Sequence, residues 1–408
     1  MLETVFADNA IESDHITSAQ YMFSGCSSLQ SMELDFPSCK NFAGIFSGCS
    51  SLNDIKLVCD SGTNFGASFQ GVKMLIEDIL NPSDPKYFNF DNAQNVSLLF
   101  DKCSTNENLN LDLSAKFPNT ISGDSMFSNV KFNLAKPEVH VTGFYSAFAK
   151  MFSGATGIDG SNNIQPMHLI EYTLNKDTSL AEEFQNMLLE SVIIHENGYK
   201  VTSYAGTFKG TKHLLEIPDL PASNATTMYQ MFNGAVLDIQ DSMNYVNPYT
   251  YDLSNCTTIE NMFRDTAATE NIANDMITSE FFPKFINTDK LVNCNFAFQS
   301  ASLVTGVWNR PVTDNLVEYG HTFGNQRFIT SFDNSVKFNV YKTMNSFIGV
   351  GEQLPQESGP TYAFTGAGYT TPIDVYMKKD SNDSNNSINC GGLFSRCTSM
   401  TESPTINL

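Results

Sequence analysis

Short apolar runs alternate with polar stretches along this chain, and one apolar pattern keeps returning. Tyr21-Met22-Phe23-Ser24-Gly25-Cys26-Ser27-Ser28-Leu29 recurs as Gly44-Ile45-Phe46-Ser47-Gly48-Cys49-Ser50-Ser51-Leu52, with 23 residues from Phe to Phe. A weaker copy, Ala67-Ser68-Phe69-Gln70-Gly71, carries Leu75 in the place of Leu29. The anchor continues through Phe100, Phe127, Phe152, Phe184, Phe208, Phe232, Phe263, Phe298, Phe323, Phe347, Phe364 and Phe394, and Phe6 precedes the first full copy. Most steps lie between 23 and 35 residues, and two are 17. One unit of that length cannot bury its own apolar face, whereas stacked neighbours can, so the period predicts a repeat solenoid with each Phe inside a coil.

Six residues after several anchors a second apolar run opens, at Leu29, Leu52, Leu75, Ile158, Leu214, Ile329 and Met400. Within it Met32/Leu34 and Ile55/Leu57 alternate with Glu33 and Lys56. That period of two predicts a short strand with the charged residues facing solvent. Gly25, Gly48, Gly71, Gly154, Gly210 and Gly234 stand two places after their Phe, where a tight turn with positive φ suits glycine. Leu109 to Leu113 reads as another alternating strand. Leu180, Phe184 and Leu188 share one face at helical spacing and predict a helix. The Asn81-Pro82-Ser83-Asp84-Pro85 segment interrupts the coils as a loop.

Leu-x-x-Met-x-Leu after Met22-Phe23-Ser24-Gly25-Cys26-Ser27-Ser28-Leu29 resembles the BspA-like leucine-rich repeats of bacterial surface proteins, which also occur in phage-encoded proteins. Ile217-Pro218-Asp219-Leu220-Pro221-Ala222 leading to Met231-Phe232-Asn233-Gly234 is similar to a variant with a Pro-rich strand end. The resemblance implies a solenoid of the leucine-rich-repeat type, with short parallel strands on one face and turns or short helices on the other. It implies a scaffold that binds, and no catalytic residue. Residues 1–408 are expected to form a single such solenoid. With no capping unit evident, the sequence predicts a part of a longer protein or larger assembly.

Composition adds exclusions. The net charge of −21 argues against binding nucleic acid or an anionic membrane through bulk charge. No apolar run is long enough to span a bilayer. The opening residues show no basic region followed by an apolar stretch. Of nine cysteines, Cys26, Cys49, Cys103 and Cys397 share one repeat position. They are expected as free thiols acting as small buried hydrophobes.

A search for chemistry finds no metalloprotease, nucleophile-elbow or EF-hand motif. Six histidines are scattered without metal spacing, and no cofactor is expected. Asp159-Gly160-Ser161-Asn162-Asn163 and Asp380-Ser381-Asn382-Asp383 offer oxygen ligands for calcium but read first as turns. Two places suit recognition. Tyr245, Tyr249 and Tyr251, beside Asn244 and Asn247, lie in a coil lengthened by insertion and are expected at the surface. Trp308, the only tryptophan, stands beside Asn309 and Arg310, residue types that anchor interfaces.

These observations predict a non-enzymatic protein of the cell surface, extracellular space or virion. Two roles stay open: an adhesin-like module recognising a protein or carbohydrate, and a structural part of a phage tail or capsid appendage that contacts other virion proteins.

Overall fold

The computed structural model describes residues 11–12, 15–239, 241–242, 244–268, 276–301, 303–313, 317–318, 322–323, 328–333, 338–342, 374–377 and 405–407. Phe6, Phe347, Phe364, Phe394, Cys397, Met400 and the 380–383 run lie outside these. The chain divides into two compact units, one of Met1–Thr178 with Asn186–Tyr199, the other of Ser179–Gln185 with Lys200–Leu408. Each is a β-solenoid. No helix among the described residues is long and apolar enough to cross a membrane.

In the first unit β1 (Ile11–Glu12), β2 (Ser31–Asp35) and β3 (Asp54–Val58) pair in parallel in that order. Met32, Leu34, Ile55 and Leu57 are buried while Lys56 meets Glu33 outside at 3.6 Å. A short helix, α1 (Ile76–Leu80), enters the expected loop. There follow β4 (Ser104–Thr105), β5 (Leu109–Asp112), α2 (Leu113–Lys116), β6 (Lys131–Phe132), β7 (Glu138–Phe144), β8 (Thr156–Ile158), β9 (Ile164–Gln165), β10 (Leu169–Leu174), β11 (Thr178–Ser179) and β12 (Val192–His195). Strands β5, β7, β10 and β12 make a four-stranded parallel sheet in that order. In the second unit β13 (Val201–Ser203) is followed by β14 (Thr250–Asp252), β15 (Met276–Ile277), β16 (Lys284–Ile286) and β17 (Leu303–Trp308). Strand β14 pairs with β16 and β15 with β17, again in parallel.

The anchors form the core. Rings of Phe23, Phe46, Phe69, Phe100, Phe127 and Phe152 stack in the first unit with centroids 5.2 to 6.1 Å apart. Phe184, Phe208, Phe232, Phe263, Phe298 and Phe323 do so in the second at 5.0 to 5.7 Å. All are buried. A second buried side chain sits four places earlier: Phe42, Phe65, Val96, Tyr204, Met228, Ile259.

The backbone explains that spacing. Residues two before and two after the Phe have left-handed φ, as at Ala67 (56°) and Gly71 (66°), Leu98 (56°) and Lys102 (61°), Gln230 (55°) and Gly234 (67°). Between them the N–H groups alternate in direction. Those of Phe42, Gly44, Phe46 and Gly48 donate to the next coil, to the carbonyls of Asn64, Gly66, Ser68 and Gln70, at 2.8 to 3.0 Å. Those of Ile45, Ser47 and Cys49 donate back to Phe42, Gly44 and Phe46 at 3.0 to 3.1 Å. Every donor of the turn is thereby used, which a buried turn requires. In the second unit Met228, Gln230, Phe232 and Gly234 repeat the ladder toward Thr258, Glu260, Met262 and Arg264.

Side chains secure the turn. Five places before the Phe, Asn41, Asn64, Asn95 and Asn293 accept the N–H two residues on through Oδ1, and Ser203, Thr227 and Thr258 do so through a hydroxyl. The cysteine slot has a polar role besides packing. Cys49 and Cys103 point Sγ at the carbonyl oxygen of the previous coil's Phe, at 3.0 Å each; Thr266 places a hydroxyl there at 2.7 Å. Cys26, Cys39, Cys49, Cys59, Cys103, Cys256 and Cys294 are free thiols. Burial pushes Cys49 up to about 11 and Cys103 up to about 12.

The helix expected from Leu180, Phe184 and Leu188 is absent. Residues 181–186 form the same turn as the other copies, with Glu182 and Asn186 left-handed. The buried pair at Phe and four places before it imitates helical spacing.

Two outcomes are expected. Phe232→Ala lowers unfolding stability by about 3–5 kcal/mol in urea titration, through lost burial and a cavity. Ala67→Gly raises it by roughly 0.5–1 kcal/mol, because glycine relieves a left-handed residue that carries only a methyl group.

Candidate functional site

Both sequence-chosen places lie in the second unit, and the structure brings them to one turn. That 3-10 turn, Ser279–Phe281, is capped by the Thr278 hydroxyl accepting from the Glu280 N–H. Its Glu280 carbonyl accepts from the Asn247 N–H at 2.9 Å and from Arg310 Nη2 at 3.2 Å. Tyr245 sets its ring edge on Phe281, centroids 5.7 Å apart. Ser279 Oγ donates to Asn309 Oδ1 at 2.7 Å.

The expected exposure of these aromatics is corrected. Tyr251 is fully buried. It is the middle residue of β14, so it faces inward, and its hydroxyl donates to the Pro218 carbonyl at 2.7 Å. Tyr204 does the same for Pro221 at 3.2 Å. The two hydroxyls supply donors to a Pro-rich segment. Trp308 is also fully buried, against Phe298 and Phe323 with centroids 4.9 Å from each, and its Nε1–H donates to the Arg310 carbonyl at 2.7 Å. Tyr245 and Tyr249 are half-buried. Burial, reinforced by Glu216 and Tyr249, pushes the Tyr245 phenol up to about 12. Tyr249 donates its hydroxyl to Glu216 Oε1 at 3.1 Å. The exposed side chains on these segments are aliphatic, Val246 and Val307.

The first unit holds an arrangement that residue counting along the sequence missed. On the outer side of the β5–β7–β10–β12 sheet, register sets Asn110, His140, Glu171 and Ile193 in one row, and Asp112, Thr142, Thr173 and His195 in the next. Glu171 bridges two imidazoles, taking His140 Nδ1 on Oε2 at 2.5 Å and His195 Nε2 on Oε1 at 2.6 Å. His168 Nδ1 meets Glu190 Oε2 at 2.6 Å. Glu138 stands between His140 Nε2 at 3.8 Å and His168 Nε2 at 3.9 Å. The hydrogen bond from His140, then that from His195, holds the Glu171 carboxyl below its usual range against the opposing effect of partial burial. Ile193, 40 % exposed, adds an apolar element. The signal in the sequence was the alternation Glu138-x-His140-x-Thr142, Glu171-x-Thr173 and Ile193-x-His195, polar positions of inward-apolar strands. It becomes a site only once the coil register is known.

The Asp159 run makes a turn between β8 and β9. The Asp159 carboxylate accepts from the Ser161 and Asn163 N–H groups and from the Asn163 and Gln165 side-chain amides at 2.8 to 3.1 Å, so its own loop engages both oxygens.

Glu171 gives a pH outcome. Its folded-state value lies below its unfolded one, near 4.3, so it stabilises the fold above that pH, and the contribution is lost as pH falls through the lower folded value. Below about pH 4.3 the parent chain should therefore lose stability more steeply than Glu171→Gln. Denaturant midpoints measured from pH 7 to pH 3 check this.

No match is found among curated proteins or among solved structures. A family match covers residues 17–139 and 178–305, leaving His140, His168 and Glu171 in the interval between its two stretches. Together those stretches span more than half of the chain, which belongs to the family described as "Mycoplasma protein of unknown function, DUF285".

Proposed function

We propose that this chain is a non-enzymatic binding protein that recognises a protein or glycan at a cell or virion surface. We place its contact surface on the outer side of the β5–β7–β10–β12 sheet. The observation that carries this reading is the composition of that side: three imidazoles, four carboxylates, two threonines and an exposed Ile193 on adjacent strands in register. Inward Val139, Val141, Ile170 and Tyr172 account for the packing of these strands. The outer residues are not needed for it. A flat, rigid sheet presenting rings, hydroxyls and charges binds without ordering loops, which keeps the entropic cost low. The aliphatic Val246 and Val307 in the second unit form a less varied surface.

The finer assignment, a leucine-rich repeat of the BspA-like kind, is supported by Leu29, Met32 and Leu34. All three are buried, the last two in strand β2 immediately after the Phe turn.

The test is a screen of the immobilised chain against a glycan array and a panel of purified surface proteins, repeated with Thr173→Lys combined with Ile193→Ser. Surface changes of this kind shift stability by about 0.5 kcal/mol or less. Binding should weaken at least roughly tenfold, about 1.4 kcal/mol, at an unchanged Tm. A partner that binds the variant as well as the parent, or that is lost instead on Val246→Asp, refutes this surface.

A further inference from the structure

We propose that His140, His168 and Glu138 together take up one divalent transition-metal ion of the zinc and cobalt class. The proposal concerns the chain alone and does not depend on the partner surface above.

The argument starts from the far side of each ring. His140 Nδ1 lies 2.5 Å from Glu171 Oε2, and His168 Nδ1 lies 2.6 Å from Glu190 Oε2. An ionised carboxylate only accepts, so each Nδ1 carries the ring hydrogen. In the neutral rings Nε2 is then a bare lone pair. Both lone pairs face the two oxygens of one carboxylate, His140 Nε2 at 3.8 Å from Glu138 Oε2 and His168 Nε2 at 3.9 Å from Glu138 Oε1. Acceptors facing acceptors repel unless a cation stands between them. At acid pH protons on the imidazoles serve; at neutral pH a metal ion does.

The surroundings match what such an ion needs. A metal-binding histidine commonly gives its other N–H to a carboxylate, which fixes the tautomer and aims the ring. Glu171 and Glu190 hold that place for His140 and His168, and His195 steadies Glu171 from its other oxygen at 2.6 Å. Two imidazoles and a carboxylate suit zinc or cobalt rather than calcium or magnesium, which prefer oxygen alone. Water completes the shell, because all three side chains are about one-third exposed.

Among the described residues no three such groups already surround one point at ligand distance. Zinc bonds of about 2.0–2.1 Å place tetrahedral ligands roughly 3.3 Å apart. The observed separations are wider by about half an ångström, and closure requires side-chain rotation of Glu138 and the rings with the backbone unchanged. The ion then ties β7 to the residues that lead into β10.

The experiment uses the untagged chain, stripped with a chelator, titrated with Zn2+ by calorimetry and with Co2+ by visible absorption. One ion per chain is expected, with cobalt bands of tetrahedral or five-coordinate intensity. His140→Ala and His168→Ala should each weaken Zn2+ binding at least tenfold. Glu138→Gln, nearly isosteric, should do the same while keeping the metal-free Tm. Glu171→Gln should weaken it about tenfold or more through loss of ring orientation. Binding should also fall from pH 7.5 to pH 5.5 as protons compete for Nε2. His213→Ala, in the second unit, should bind as the parent does. Absence of heat and of cobalt bands at millimolar metal, undiminished binding by Glu138→Gln, or equal loss in His213→Ala would each overturn the proposal.

Discussion

Everything in these solenoids hangs on the backbone ladder through the Phe turn. A turn buried in a stack must satisfy each N–H and C=O without water. This chain solves that by alternating donors, one to the next coil and one back within its own coil, across seven residues from Phe42 to Gly48 and again from Met228 to Gly234. The arrangement needs left-handed residues on both sides of the Phe. It also fixes which side chains point inward, namely the Phe and the residue four before it. Ring stacking, the Asn and Thr caps and the thiol-to-carbonyl contacts follow from that geometry, since each fills a slot that the ladder has already positioned.

The same constraint decides what was legible in the sequence. Phe spacing and the Met32/Leu34 alternation revealed a stacked repeat with short strands, because burial writes itself as periodicity. Glycines two after the Phe disclosed one left-handed site. The other, two before the Phe, stayed hidden, since it is held by Tyr21, Ala67, Leu98, Ser125 and Gln230, none of which announces positive φ. Leu180, Phe184 and Leu188 misread as a helix for the reason given by the ladder, an inward spacing of four with no helix behind it. Tyr251 and Trp308 misread as surface anchors because aromatic residues mark cores and interfaces alike; what separates them is the buried carbonyl that each donor satisfies, at Pro218 and Arg310. The His–Glu network was invisible for a different reason. Its members are 22 to 31 residues apart in the chain and meet only through register.

The two candidate regions differ in kind. In the second unit, the turn at Ser279–Phe281 gathers Asn247, Asn309 and Arg310 by hydrogen bonds that organise the interior, and the ring edge of Tyr245 packs against it. In the first, imidazoles and carboxylates stand on the outside of strands whose inner faces already hold them. Chemistry that the core does not require is the better sign of a task, and it falls largely in the interval between the two family-matched stretches.

The left-handed site before each Phe has one more consequence. Its occupants range from alanine to tyrosine and from lysine to glutamate, because the backbone there is dictated by bonds that no side chain makes. Inheritance can therefore rewrite this outward stripe letter by letter without disturbing the interior. A lineage whose surface is under pressure to change would find in such a coil a scaffold that forgives novelty.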